Sequence, residues 1–387
     1  MRIIYFTTAL EKEDYVAFCE NWNGSLNTTI QNLHNRLIRA LALTHEVDVI
    51  SVRPYSKRYC KLKKLDASTT QEGKITWHYL EVKRRKLFRA NYTKRDAKKI
   101  LLKLNLKDAI ILTDTLNPYI LKASTSLAEY FKLPIIGVCN NTPSGIHDTG
   151  KSYTTNLHSM ADDLSGYITQ TSNLNELFNK NNRANITIEG VLENKYKEQD
   201  VKQYGKYIFY YGNLEKKFGV YELIQAFIEL NNPDVNLVVA GYHADEQKMA
   251  EMCKFRNNIK YLGMISNDLM LSLENGSIFN INSRPYTEDF DRYLIPYNTL
   301  DYLNSKSLTV SVRNNILLKT FKDDALWLEL GEKEELIEVM NKALQMSDKE
   351  KNEIIKKANA DANKLYSMSV VNHKLILFLK QFLKQRE

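Results

Sequence analysis

The sequence predicts an α/β protein built from two doubly wound domains with parallel sheets. Short apolar runs of strand type alternate with helix-like segments almost throughout, the signature of consecutive βαβ units. The alternation breaks at one polar, Lys/Asn/Gln-rich stretch, Glu193–Lys206, and then restarts. The chain has 387 residues, enough for two domains of ordinary size.

In the first half, Arg2–Thr8 is a β-rich opening followed by a polar loop, and Thr28–Leu43 repeats Ile30, Leu33, Leu37 and Leu41 at helical spacing. Glu46–Val52 alternates and stops at Arg53-Pro54, as a strand would. Ala109–Thr113 and Pro134–Cys139 are short apolar runs of buried-strand type, with a helix, Tyr119–Phe131, between them. Tyr167–Thr171 and Asn185–Glu189 close this half. In the second half, strands are expected at Tyr207–Tyr211, Val235–Ala240, Ile259–Leu262, Ser277–Ile281 and Leu308–Ser311. Helices are expected at Tyr221–Leu230, Glu246–Phe255, Asn267–Glu274 and Tyr297–Asn304. This divides the chain into a first domain over 1–192, a linker over 193–206 and a second domain over 207–368. A terminal helix within 369–387 then packs back on the first domain, its apolar residues Val370, Leu375, Leu377, Phe378, Leu379 and Phe382 lying mostly along one face.

Composition excludes several classes. No apolar run approaches the roughly 18 residues that span a bilayer. The opening Met1–Phe6 lacks the apolar core and cleavage site of a secretory signal. Cys19, Cys60, Cys139 and Cys253 lie too far apart for a zinc site or a disulfide framework, so a reducing cytoplasm is the expected compartment. The net charge of +8 is uneven: residues 1–180 carry 26 Lys/Arg against 17 Asp/Glu, and Arg53–Lys107 alone carries 18 against 4. Basic clusters there alternate with Tyr59, Leu62, Leu87 and Phe88, a pattern suited to an anionic membrane surface. No nucleic-acid motif is present, so nucleic acid is not an expected partner.

In doubly wound folds, ligands bind beyond the carboxyl ends of the strands, which directs attention to the loops there. The loop Tyr211–Gly219 places Gly212 and Asn213 at a strand end and Lys216 and Lys217 before a helix. Glycine lets backbone approach a phosphate, and a helix start and a lysine add positive potential. Gly241 and Tyr242 follow the next strand, where a bare glycine lets a nucleotide lie against the strand end. The third loop runs from Asn282 through Arg284 and Glu288 to a helix opened by Pro296, Tyr297, Asn298 and Thr299. Asp301, one turn into that helix, has a carboxylate suited to two ribose hydroxyls. First-turn compensation of the helix dipole is the plainer role. Asp289-Phe-Asp291 has the form of a metal-binding Asp-x-Asp, but it lies deep in a βαβ domain, so no metal site is assigned.

Taken together, Gly212-Asn-Leu214, Leu223-Ile-Gln-Ala226, Leu237-Val-Val-Ala-Gly241, Asn258-Ile-Lys-Tyr-Leu-Gly263 and Pro296–Val310 resemble, in order over about a hundred residues, the donor half of glycosyltransferase family 4. The resemblance implies a GT-B fold, with two Rossmann-like domains facing across a cleft. It also implies transfer of a sugar from a nucleotide-diphosphate sugar to a glycan, lipid-linked or protein acceptor, with retention of configuration. No metal or other cofactor is needed beyond the nucleotide sugar as co-substrate. Lys217, assisted by Lys216, would neutralise the leaving diphosphate, and Asp301 would hold the ribose. Gly24 would stand where the family has a glycine-rich turn, and His147 where it places a cleft histidine. The chain departs from the pattern at Asn213, where arginine is usual, and at Phe218, where the phosphate lysine is usual. It departs again at Tyr293, where a glutamate is usual and for which Glu288 is the nearest substitute. These departures keep a second reading open, a catalytically silent subunit that partners another glycosyltransferase. A homo-oligomer is equally compatible with the sequence.

Overall fold

A computed structural model describes residues 1–22, 28–55, 60–62, 64–82, 89–143, 157, 159–162, 164–193, 196–242, 245–254 and 256–383. The chain forms two compact units, one of Met1–Asn23, Thr28–Val191 and Met368–Glu387, the other of Leu192–Ser367.

In chain order the first unit contains β1 (Arg2–Thr7), α1 (Lys12–Glu20), α2 (Thr28–Ala42), β2 (Glu46–Ser51), β3 (Ser68–Glu72), β4 (Ile75–Tyr79) and α3 (Arg89–Leu101). It continues with β5 (Ala109–Asp114), α4 (Pro118–Phe131), β6 (Ile135–Cys139), β7 (Gly166–Thr169), α5 (Ser172–Phe178) and β8 (Ala184–Thr187). Among the described residues its sheet has the order β3-β4-β2-β1-β5-β6-β7-β8. Every pairing is parallel except β3 with β4, a hairpin turned at Gly73, whose φ of 59° suits glycine. The central strands are buried on both faces, which is why β1 and β5 read as continuous apolar runs rather than alternating ones. On α2 the stripe Leu33, Leu37, Ile38 and Leu41 is buried. Helix α4 starts where Asn117 accepts from the backbone N–H groups of Tyr119 and Ile120, with Pro118 in the first turn, and stops at Lys132 in the left-handed region.

Two parts of this unit differ from the sequence expectation. The segment after β1, expected as a polar loop, contains α1, whose first turn is capped by the Glu11 carboxylate accepting from Glu13 and Asp14. Strand β3 is polar and exposed, as an edge strand outside the core can be, so its sequence carries no apolar signal.

The second unit contains β9 (Tyr207–Asn213), α6 (Val220–Leu230), β10 (Asn236–Tyr242), α7 (Glu246–Lys254), β11 (Ile259–Tyr261), α8 (Asn267–Gly276) and β12 (Phe279–Asn282). After these come α9 (Glu288–Tyr293), α10 (Tyr297–Leu303), β13 (Leu308–Val312), α11 (Asn315–Phe321), β14 (Leu326–Leu328), α12 (Lys333–Gln345) and α13 (Asp348–Tyr366). Its sheet is all parallel in the order β11-β10-β9-β12-β13-β14. This is the doubly wound order in which the chain builds outward on one side of the first strand and then on the other. The stretch 193–206, expected as a linker, belongs to this unit. Tyr196, Val201 and Tyr204 pack on a core that includes Tyr207, Phe209 and Leu273, and Leu192 N–H donates to the Tyr366 carbonyl (2.9 Å).

Helix α14 (Met368–Lys380) belongs to the first unit, where it packs on α2 and β8. Asn372 Nδ2 donates to the Ala40 carbonyl at 2.8 Å, and the Phe382 ring lies so close to Gly166 that an added Cβ would meet it at 2.7 Å.

Candidate functional site

In the second sheet the strand order reverses between β9 and β12, so the crevice at their carboxyl ends is the place where this topology leaves room for a ligand. Its floor is built from buried, closely packed glycines. Gly241 (φ 153°) pairs with Gly212, and a Cβ on it would lie 1.9 Å from the Gly212 carbonyl oxygen. Gly219 (φ 79°) ends a 3-10 turn, Lys216–Phe218, and starts α6; a Cβ there would lie 2.0 Å from the Ser283 carbonyl oxygen. Ser283 closes this contact by donating its hydroxyl to the Gly219 carbonyl (3.1 Å). Side chains at these positions would force the loops after β9, β10 and β12 apart.

The start of α10 is fastened to the same edge. Asn298 Nδ2 donates to the Tyr211 carbonyl at 2.5 Å, and the buried Tyr302 hydroxyl accepts from Tyr211 N–H at 3.0 Å. Thr299 is fully buried, its hydroxyl shared with Ser311 at 2.8 Å and accepting from Asn282 Nδ2 at 2.9 Å. Asn298 and Thr299, expected as donor ligands, thus spend their side chains fixing α10 against β9, β12 and β13. Pro296 caps α10, Tyr297 opens it, and Asp301 stands one turn further on, partly exposed.

The polar residues of the loop after β9 are tied to one another. Asn213 Oδ1 accepts from Glu215 N–H (2.9 Å), its Nδ2 lies 3.4 Å from the Glu215 carboxylate, and Lys217 Nζ pairs with that carboxylate at 3.1 Å. Lys216 and Lys217 are both exposed. Across the crevice, Arg284 follows the end of β12, half-buried. Its guanidinium lies 4.7 Å from the Phe218 ring centroid and 3.4 Å from that of Phe290. Burial pulls its pKa down to about 10, while Tyr210 and Tyr242 nearby pull it up, so it stays cationic at neutral pH. No carboxylate among the described residues pairs with it. The same burial raises the Tyr210 phenol, whose hydroxyl donates to the Asn213 carbonyl at 2.9 Å.

Of the remaining expected residues, Glu288 is exposed in the first turn of α9. Asp291 is buried and holds the first residue of α11, accepting from Asn315 N–H (2.6 Å) and Nδ2 (2.5 Å), while Asn314 is the cap. The Asp-x-Asp form therefore has a structural use here. Among the described residues no group of three metal-ligating side chains converges. Gly24 and His147 lie outside the described residues, as do Lys83–Phe88 and part of the Lys57–Lys64 cluster in the basic tract. The sequence reading passed over Phe218 and Phe290 as contributors. The available signal was an aromatic standing where the resembling family has a lysine, with an arginine just after the next central strand.

In the first sheet the order reverses between β1 and β5, and that point is filled. The Tyr5 hydroxyl and His34 Nδ1 are 2.7 Å apart, while Asn140 Nδ2 and Asp114 Oδ2 lie 3.4 and 3.9 Å from His34 Nε2. Burial lowers the His34 pKa, with Asp114 opposing, and raises that of Asp114, with His34 opposing.

Residues 193–361 match the sequence profile "Glycosyl transferases group 1". The match covers most of the second unit, which is similar to a group 1 glycosyl transferase domain. No curated protein matches the chain. Among solved structures, sucrose-phosphate synthase from Thermosynechococcus elongatus is similar over 100% of both chains, with a TM-score of 0.72 and 11% identity. The α,α-trehalose 6-phosphate synthase of Burkholderia multivorans is similar over 100% of this chain and 99% of its own (TM-score 0.70, 13% identity). A UDP-forming α,α-trehalose-phosphate synthase from Burkholderia xenovorans, in complex with glucose-6-phosphate, is similar over 98% and 100% (TM-score 0.70, 13% identity). At these identities the likeness shows the fold, a GT-B pair of Rossmann-like domains. Among the described residues no helix is long and apolar enough to cross a membrane.

Proposed function

We propose that this group 1 domain serves a glycosyltransferase that moves a sugar from a nucleotide-diphosphate sugar to a glycan, lipid-linked or protein acceptor, with retention and without a metal. The observation that carries this reading is the glycine floor at the reversal point of the second sheet. Gly212, Gly219 and Gly241 are buried glycines whose added Cβ atoms would collide with Asn298, Ser283 and Gly212, so the loops after β9, β10 and β12 close together beside the start of α10. A diphosphate lies against such a surface, and the Asp301 carboxylate, one turn into α10, accepts from the ribose hydroxyls. Retention follows the precedent of the resembling family, and the UDP-forming neighbour supports a nucleotide-sugar donor. The test is a thermal-shift screen of the full chain against UDP, GDP and ADP, with and without magnesium. At a hundred times the dissociation constant, the nucleotide that fits stabilises the protein by about 2.7 kcal/mol, without added metal. A flat response to all three leaves the silent-subunit reading, which the Asn213–Glu215–Lys217 ties favour.

A further inference from the structure

The loop after β9 supplies less positive charge to the crevice than its sequence suggests. Lys217 is turned to Glu215, and Asn213, which stands where the resembling family has arginine, spends its side chain on the backbone and carboxylate of the same Glu215. Phe218 stands where that family has its phosphate lysine. Each departure alone reads as loss of a site. Their geometry shows an exchange, because the Phe218 ring forms one wall of a cage whose other wall is Phe290 and whose occupant is the Arg284 guanidinium.

That guanidinium is held by π faces and by its backbone rather than by an anion. The Arg284 backbone N–H donates to Asn282 Oδ1 at 3.3 Å, and the guanidinium feels the Tyr210 and Tyr242 phenols, from β9 and the end of β10. Aromatic faces orient a guanidinium without neutralising it, and they leave its edge donors for a planar oxyanion. A partly desolvated cation with no acid beside it is costly unless a ligand brings the charge. It stands on the β12 side of the reversal point and shares Tyr210 as a neighbour with Gly212, where an added Cβ would meet the Tyr210 hydroxyl at 3.3 Å, so both face the same end of the sheet.

We propose that Arg284, caged by Phe218 and Phe290, is the phosphate-binding cation of the donor site, replacing a lysine of the loop after β9. This rests on the nucleotide-sugar reading above and sharpens it: the ligand's anion is met from β12, by a bidentate fork rather than a point charge. Arginine suits this role because its fork matches two phosphate oxygens and its plane stacks, which lysine does not do equally well.

The experiment is isothermal titration of the full-length wild type, Arg284→Ala, Arg284→Lys, Phe218→Ala and Lys217→Ala. The ligand is whichever of UDP, GDP or ADP binds the wild type, with its phosphate-free nucleoside as control and circular dichroism melts confirming the fold. Arg284→Ala weakens the diphosphate at least tenfold and leaves nucleoside affinity within twofold. Arg284→Lys and Phe218→Ala fall between it and wild type, and Lys217→Ala changes Kd less than threefold. The assignment is overturned if Arg284→Ala binds the diphosphate as wild type does, or if nucleoside and diphosphate weaken together. It also fails if Lys217→Ala carries the loss instead. If no nucleoside diphosphate binds the wild type, the nucleotide-sugar reading itself falls and takes the assignment with it.

Discussion

Where the strand order reverses in the first sheet, β1 carries Tyr5 and β5 ends in Asp114, and His34 and Asn140 come in to join them in a buried polar cluster. Where it reverses in the second sheet, Gly212 lies near the end of β9 and Ser283 follows β12, with glycines on the neighbouring loops and an arginine that has no acid partner among the described residues. One topology thus produces two outcomes. In the first unit the protein's own side chains fill the reversal point and pair with one another, with only the buried Asn140 Oδ1 left over among the groups named. In the second the groups that would fill it have been removed and a charge is left over. The reversal alone therefore does not mark a site; what separates the two points is a partly buried cation with no acid beside it.

The sharpest way to break this comparison is to fill the second reversal point. Gly241→Ala places a methyl group against the Gly212 carbonyl at a backbone angle that other residues rarely adopt. It should destabilise the protein by about 3 kcal/mol, measured by urea denaturation, and abolish any nucleotide-induced shift. Near-wild-type stability would mean that the floor tolerates side chains and that its glycines are incidental.

A middle-sized effect tests the first reversal point. His34 is held neutral by burial, its pKa lowered from 6.5. As pH falls through that value, the unfolded chain takes up a proton that the folded chain refuses, so stability falls with it. One proton sets a limit of about 1.4 kcal/mol per pH unit. Asp114 works in the opposite sense at lower pH, because its raised pKa lets the folded state protonate first. His34→Gln should be less stable at pH 7 but show a flatter decline between pH 7 and 5.5 in thermal melts. An unchanged slope would place the pH sensitivity in other groups.

The smallest effect is expected at Lys217. Its pair with Glu215 is exposed, the lysine side chain at 68%, so Lys217→Ala should change stability by under about 0.5 kcal/mol in the same urea titration. A larger loss would show that the loop after β9 depends on this pair.

The two-domain α/β fold was legible because central parallel strands are buried on both faces and so read as apolar runs, as Ile110–Leu112 and Leu237–Ala240 do. Glycines at strand ends were legible for the same local reason. What escaped lay in elements with no apolar signature: the polar edge strand β3, and α1, which owes its start to the Glu11 cap. The site was only half readable. Gly212, Gly241 and the start of α10 are encoded by position. That Lys217 turns to Glu215, that Thr299 is buried against Ser311 and that Phe218 stacks on Arg284 are contacts between segments distant in sequence or set by rotamer. No spacing rule reports these.

The return of α14 to the first unit has a consequence for biosynthesis. The helix is translated only after Leu192–Ser367, roughly 175 residues, which takes a ribosome about ten to thirty-five seconds at ~5–20 residues per second. Throughout that interval the first unit has left the ribosome without the partner of α2, so Gly166 lacks the Phe382 ring and Ala40 lacks the Asn372 amide. The first unit is thus completed only after the whole of the second has been made.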